Sequence, residues 1–280
     1  MKRKGSRFFT PDSINELKKL VLKEDVTTLL AGGTTLFRTN NGENLILPGV
    51  IVILDSISEL KRENRTERYF EFGSMITIED IIFRCKNNYP KVFIDCLKSI
   101  APFPIRNMAT IGGSVANNII ISDLMPMLLI FNCKVEVISF ISKKVKAKWE
   151  PIAQYISNKD ERGLHLITRI RIPLLTPSYI LYFKSGHKYN LFNEISFAGI
   201  AETEKENISY LSMAFNIENK IIVRTKEIEE QLIGKRLPNN HQIRETFMKS
   251  ILLNLGNNKK LKKSQIYRMS QIILDFIEDF

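Results

Sequence analysis

Apolar residues along this chain come in short runs, and their spacing changes from one segment to the next. Phe8-Phe9-Thr10-Pro11-Asp12-Ser13 reads as a short strand passing into a helix. Asp12 or Ser13 can cap that helix, and Ile14, Leu17, Leu20 and Val21 share its apolar face. Thr27–Ala31 predicts a short buried strand ending at Gly32-Gly33, and Val50–Leu54 predicts another, closed by Asp55. Asn40, Asn41 and Gly42 mark a loop between them. Residues 1–55 therefore form a first small α/β unit.

From 56 to 176 the pattern predicts a strand at Tyr69–Gly73 and a helix at Ile78–Lys86 opened by Thr77. Thr77 keeps two readings, a helix cap or a hydroxyl donor to a ligand. Tyr89-Pro90 breaks the chain before a helix at Lys91–Ser99, and Met125–Phe131 predicts a short apolar helix. Val135–Phe140 and Ala147–Trp149 read as a hairpin around a basic turn, and Leu164–Pro173 as an alternating strand stopped by its proline. Residues 177–280 follow as four strands, Tyr179–Lys184, Ile195–Ala201, Ser209–Phe215 and Lys220–Arg224. Helices at Lys226–Ile233, Asn240–Asn254 and Gln265–Phe280 come next. Strands followed by helices indicate an α+β unit.

Composition narrows the class. At 280 residues, 44% hydrophobic and 25% charged, the chain supports two or three compact units with real cores. No apolar run approaches the ~20 residues of a membrane span, and the basic N-terminus has no apolar stretch behind it, so no secretory signal is expected. Cys85, Cys96 and Cys133 are scattered without CxxC spacing. They argue for a reducing, cytoplasmic setting and against a disulfide framework, zinc site or iron–sulfur cluster in this chain. The net charge of +11 is spread thinly, with concentrations only at Lys143–Lys148 and Lys259–Lys263. With no recognition motif beside it, this charge reads as a solvated basic surface, and no nucleic acid is expected. His165, His187 and His241 are far apart, and no GxSxG, P-loop or HExxH is present. A cofactor that brings its own chemistry suits such a chain better than hydrolysis by side chains.

Two glycine pairs point to that cofactor. Between Arg106 and Asp123 the chain carries no charge, and within it Gly112-Gly113 is flanked by Thr110 and Ser114 and followed by Asn117-Asn118. A glycine pair lets a ligand approach main-chain N–H donors, although a tight bend with a helix behind it gives the same pattern. A second pair, Gly32-Gly33, lies in LLAGGTTL. It lacks the third glycine and following long helix of a dinucleotide-binding fingerprint. Two such bends with hydroxyl neighbours predict one extended ligand carrying phosphates.

LLAGGTTL, IRNMATIGGS and SDLMPMLL, in this order, resemble the FAD-binding subunit of the molybdenum hydroxylases, a group that includes xanthine dehydrogenase, carbon monoxide dehydrogenase and nicotinate dehydrogenase. The resemblance extends over nearly the whole chain, including Tyr267-Arg268 at the start of the last helix. It implies an α+β fold: a two-part FAD-binding domain of the PCMH type, built of small mixed sheets with helices, then a C-terminal domain of an antiparallel sheet with helices. The implied function is that of an oxidoreductase subunit, xanthine-dehydrogenase-like. Electrons would come from a molybdopterin-binding large subunit through a 2Fe-2S small subunit, and leave from FAD to NAD⁺ or another acceptor.

Carried over by position, Leu29, Leu30, Ala31, Gly32, Gly33, Thr34, Thr35 and Leu36 would wrap the pyrophosphate. Thr110 and Ser114 would add hydroxyl contacts on either side of Ile111, Gly112 and Gly113. Asp123 would hold a polar group of the cofactor, Ile100 an apolar one, and Lys184 would be a basic contact. Ile167 is either an apolar flavin contact or ordinary sheet core. No catalytic side chain and no metal ligand are implied. Departures are Ser114 where asparagine is common, Ile119–Ile121 where a proline often precedes the SD pair, and Lys188 in place of an arginine-rich turn. A free-standing flavin reductase or oxidase, and a non-enzymatic basic binding module, remain the other readings of the same residues.

Overall fold

The computed structural model describes residues 6–35, 49–117, 120–140, 147–158, 161–185, 194–205, 207–235 and 241–279, with the side chains of 241–243 excepted. Two compact units divide the chain. Met1–Ser122 with Phe131–Leu174 make the first, and Asp123–Ile130 with Leu175–Phe280 make the second.

In the first unit, strands β1 (Arg7–Phe9), β2 (Val26–Leu30) and β3 (Val50–Ile53) form a parallel sheet in the order β1-β3-β2. Helix α1 (Ile14–Lys23) joins β1 to β2, and Ser13 is its cap: Oγ accepts from the Glu16 N–H at 3.1 Å. Leu17 on its buried face packs with Val50, Val52 and Leu54. Met75, Ile138 and Leu166 join the same cluster, so residues on both sides of position 55 share one core.

A five-stranded antiparallel sheet completes this unit in the order β4-β5-β8-β6-β7. Its strands are β4 (Glu63–Arg65), β5 (Tyr69–Gly73), β6 (Lys134–Ser139), β7 (Ala147–Pro151) and β8 (His165–Pro173). Alternation sets its two faces. Inward, Phe70 packs near Tyr89, Tyr89 stacks on Phe93 at 4.7 Å between centroids, and the Tyr89 hydroxyl donates to the Ile172 carbonyl. Outward, Arg169 grips Glu136 with Nε at 2.9 Å and Nη2 at 2.7 Å, while Arg171 bonds Glu71 and stacks over Tyr69 and Trp149. Helices α2 (Ile78–Cys85) and α3 (Lys91–Ser99) bury Ile78, Ile81, Phe93 and Leu97. All three cysteines are buried thiols, and burial pushes Cys85 up to about 12.

Several short elements are absent from the sequence reading: a 3-10 turn at Ser58–Lys61, β4, α4 (Phe103–Arg106), α5 (Ile111–Ala116) and α7 (Ile152–Ser157). Each is too short to display a period. Pro102 and Pro151 stand just ahead of α4 and α7, where a missing N–H costs nothing.

The second unit is an antiparallel meander of β9 (Tyr179–Ser185), β10 (Ile195–Glu204), β11 (Asn207–Ile217) and β12 (Ile221–Arg224). Helices α8 (Lys226–Leu232), α9 (His241–Gly256) and α10 (Lys263–Glu278) follow it. Phe197, Met213 and Phe215 face one core with Ile273, Phe276 and Ile277 of α10. On the opposite face lie Ser196, Ser212 and Asn216, and here the chain inserts α6 (Leu124–Ile130). All seven residues of α6 are buried, as an all-round apolar helix requires. Residues 123–130, which the sequence reading keeps inside the 56–176 segment, thus belong with the C-terminal unit. Among the described residues no helix is long and apolar enough to cross a membrane.

Candidate functional site

The two glycine pairs meet within the first unit. Strand β2 runs out at Leu30, Ala31 to Gly33 bend away, and Thr34 opens a helical turn. Gly33 takes φ +69°, a left-handed conformation that glycine adopts without penalty. Gly32 has a different reason for being glycine: a Cβ there would lie 1.7 Å from the carbonyl oxygen of Met108. That carbonyl belongs to the stretch leading into the second pair. Gly113 continues the contact, its Cβ position lying 3.7 Å from Cβ of Ala31. Asn117 closes it, with Nδ2 donating to Thr35 Oγ1 at 2.7 Å.

An accounting of N–H groups separates the two loops. In the second loop, Ile111 N–H donates to the Ile76 carbonyl, Gly112 to Ser74, Gly113 to the Thr110 hydroxyl and Ser114 to the Thr110 carbonyl. Gly112 is close-packed on Ser74, whose Cβ lies 2.4 Å from its own Cβ position. The second glycine pair therefore serves the protein's own backbone, and its N–H groups are engaged in holding α5. Thr110, 3% exposed, is the cap of α5. In the first loop, no acceptor among the described residues takes the N–H groups of Gly32, Gly33 and Thr34. The start of a helical turn leaves such donors by construction.

The remaining sequence-derived positions fall as follows. Leu29 and Leu30 are paired in the sheet with Val52 and Ile53. Thr34, Thr35, Gly113 and Ser114 are half-buried, and so is Ile100 at the C-terminal end of α3. Ile111 is buried, and Ile167, 3% exposed, sits in β8 opposite Val137. Leu36, Lys188, Asn118 and Ile119 lie outside the described residues, as do Asn40–Gly42. Thr77 caps α2: its hydroxyl accepts from the Asp80 N–H at 3.1 Å and donates to the Asp80 carboxylate at 2.8 Å.

Asp123 and Lys184 belong to the second unit, where they bond each other at 2.6 Å. Ser196 Oγ and Asn216 Nδ2 also donate to Asp123, at 2.8 and 3.2 Å. Glu194 takes a second bond from Lys184 at 2.9 Å and is itself held by Asn219. Burial works against the Lys184 charge, but the flanking Asp123 and Glu194 carboxylates outweigh it and raise the amine above its ordinary value. Glu194, Ser196 and Asn216 carry no sequence signal for this role, because their partner is far away along the chain. Asn117 and Arg106 were visible in the motif only as neighbours of the glycines.

The donor set fits an anionic, phosphate-bearing cofactor. Ala31–Thr35 and Thr110–Asn117 contain N–H groups, four hydroxyls and no acidic side chain to repel phosphate.

Comparison with known proteins gives the same direction. Residues 4–175 match the family described as the FAD binding domain in molybdopterin dehydrogenase. The chain is 24% identical to the glyceraldehyde dehydrogenase medium chain of Sulfolobus acidocaldarius over 81% of its own length and 80% of that protein. It is 26% identical to the nicotine 6-hydroxylase medium subunit of Paenarthrobacter nicotinovorans, over 85% of this chain and 83% of that one. It spans only 21% of an aldehyde oxidase from Macaca fascicularis and 18% of a xanthine dehydrogenase from Arabidopsis thaliana, which it also matches. Among solved structures, a chain of carbon monoxide dehydrogenase from Hydrogenophaga pseudoflava superimposes with a TM-score of 0.76 at 17% identity, covering 99% of this chain and 98% of that one. With the family match covering more than half of its length, the chain belongs to the FAD-binding domains of the molybdopterin dehydrogenases and is an oxidoreductase chain that holds FAD.

Proposed function

We propose that this chain is the FAD-carrying medium subunit of a multi-subunit molybdenum hydroxylase, xanthine-dehydrogenase-like in its acceptor chemistry, working in the cytoplasm. The observation that carries it is the meeting of two uncharged glycine–hydroxyl loops through Asn117 and Thr35. The N–H groups of Gly32, Gly33 and Thr34, with the hydroxyls of Thr34 and Thr35, hold the pyrophosphate. Ser114 presents a hydroxyl from the second loop, whose start is held by the Thr110 cap, and Ile100 supplies an apolar wall. Within the second unit, Asp123 and Lys184 form an ion pair whose orientation is held by Glu194, Ser196 and Asn216. Ile167 serves the sheet core, given its burial.

FAD, when bound, accepts and passes on electrons, and the protein supplies binding, orientation and exclusion of water. Two relatives, a medium chain and a medium subunit by name, support partners of the molybdopterin-binding large and 2Fe-2S small type. NAD⁺ is the proposed acceptor. The test is to purify the chain from its source and measure flavin, molybdenum and iron together. FAD with molybdenum, iron and two further polypeptides supports the reading, whereas a flavin-loaded chain without partners or metals overturns the subunit assignment.

A further inference from the structure

Arg106 closes α4, four residues before Thr110, and its side chain is 13% exposed. Nε donates to Glu79 Oε2 at 2.7 Å. Nη1 donates to the carbonyl of Lys98 at 3.0 Å and of Ala101 at 2.6 Å. Lys98 lies in the last turn of α3, where carbonyls run out of main-chain N–H partners within the helix. Glu79 lies in the first turn of α2. One planar cation thus ties the start of α2, the end of α3 and the turn after it. A fixed fork of donors can hold these three at once, and a lysine ammonium cannot reproduce that geometry.

The tied segments are the ones that frame the proposed cofactor site. Ile100 stands between Lys98 and Ala101. Two residues beyond Arg106, the Met108 carbonyl occupies the space beside Gly32, and the Ala109 carbonyl accepts from Ile78 N–H at 2.9 Å. We propose that Arg106 is a positioning residue of the flavin site, fixing Ile100 and the Met108–Gly32 contact so that both glycine loops act on one ligand. This rests on FAD binding at those loops.

The experiment compares the full-length wild type with Arg106→Gln, Arg106→Lys and Glu79→Gln. It reads the FAD dissociation constant by flavin fluorescence, the visible circular dichroism of bound flavin, and the thermal midpoint. Arg106→Gln is expected to weaken FAD roughly tenfold, the scale of losing hydrogen bonds from a charged group. Arg106→Lys and Glu79→Gln, which keep part of the clamp, should fall between it and wild type and alter the visible dichroism. Should Arg106→Gln not fold, the two milder variants decide by the same readings. Wild-type affinity and dichroism in the folded variants would overturn the positioning role, even if the thermal midpoint fell. A wild type that binds no FAD would overturn the cofactor assignment as well.

Discussion

Asn117 donates from Nδ2 to Thr35 Oγ1 at 2.7 Å, a side-chain tie between residues 82 positions apart in the chain. Its Oδ1 also accepts from the Ile120 N–H at 3.3 Å, so one amide holds both the first loop and the exit from the second. Asn117→Ala removes both bonds at a half-buried position without leaving a charge behind. The variant should fold and lose about 1 kcal/mol of stability, with FAD bound several-fold more weakly. Titration of the apoprotein with FAD checks this. Unchanged affinity would separate the loop tie from ligand binding.

Gly32 and Gly113 should respond differently to alanine. The Gly32 Cβ would meet the Met108 carbonyl oxygen at 1.7 Å, a clash between main-chain segments that no rotamer relieves. Its cost should reach the upper end of the overpacking range, about 3 kcal/mol or more. The Gly113 Cβ would meet the Thr110 hydroxyl at 2.9 Å, and a hydroxyl at a side-chain tip can turn away. Losing that cap costs about 1 kcal/mol, partly offset by alanine's better helix propensity. Thermal unfolding followed by circular dichroism orders the two. Equal midpoints would show that the Met108 contact is not the reason for glycine at position 32.

These two glycines show where sequence reading stops. The strands at Val50–Ile53, Tyr69–Gly73 and Lys134–Ser139 were legible, because alternation and apolar runs report a sheet face directly. The hydroxyl–glycine motifs were equally plain. Their purpose was not, because a glycine facing a ligand and a glycine facing Ser74 or Met108 look the same in a string of letters. Helix α5 was hidden for a related reason. Its first turn is Ile-Gly-Gly-Ser, a poor helix by propensity, and it is held by the Thr110 cap and by N–H bonds to residues 74 and 76. Helix α6 was visible as an element, but only its burial on every side shows that it belongs with residues 175–280.

Glu136 gives the first unit an acid-sensitive stabilisation of defined sign. Burial acts to raise its carboxyl, but bonds from Arg169 and Thr168 outweigh that and hold it below the usual carboxylate range. A depressed folded value contributes stability that is present above the unfolded value and lost as pH falls through the folded one. Arg169 is 44% exposed at its side chain, so solvent screening limits the pair to about 1 kcal/mol. Glu136→Gln should therefore be less stable than wild type at neutral pH, with the gap closing below the ordinary carboxylate range. Denaturant midpoints at neutral and acid pH measure this. A gap that widened with acid would reverse the assigned sign.

The last prediction concerns what this chain does without partners. Cys85, Cys96 and Cys133 are buried and dispersed, and the described residues include no group of three side chains suited to a metal. Thiols pushed upward by burial, as Cys85 and Cys133 are, make poor ligands, since ligation requires the thiolate. The isolated chain reconstituted with FAD should therefore not oxidise xanthine or a related heterocycle. It should retain electron exchange between flavin and NADH, read with an artificial dye, because hydride transfer between stacked rings needs orientation more than a protein acid or base. Its FAD should be released by acid precipitation, since no histidine or cysteine stands beside either glycine loop in sequence to attach it covalently. Both reactions are assayed side by side on one preparation. Xanthine turnover by the chain alone would overturn the subunit reading. Bound FAD that NADH does not reduce would overturn NAD⁺ as the acceptor while leaving the cofactor assignment in place.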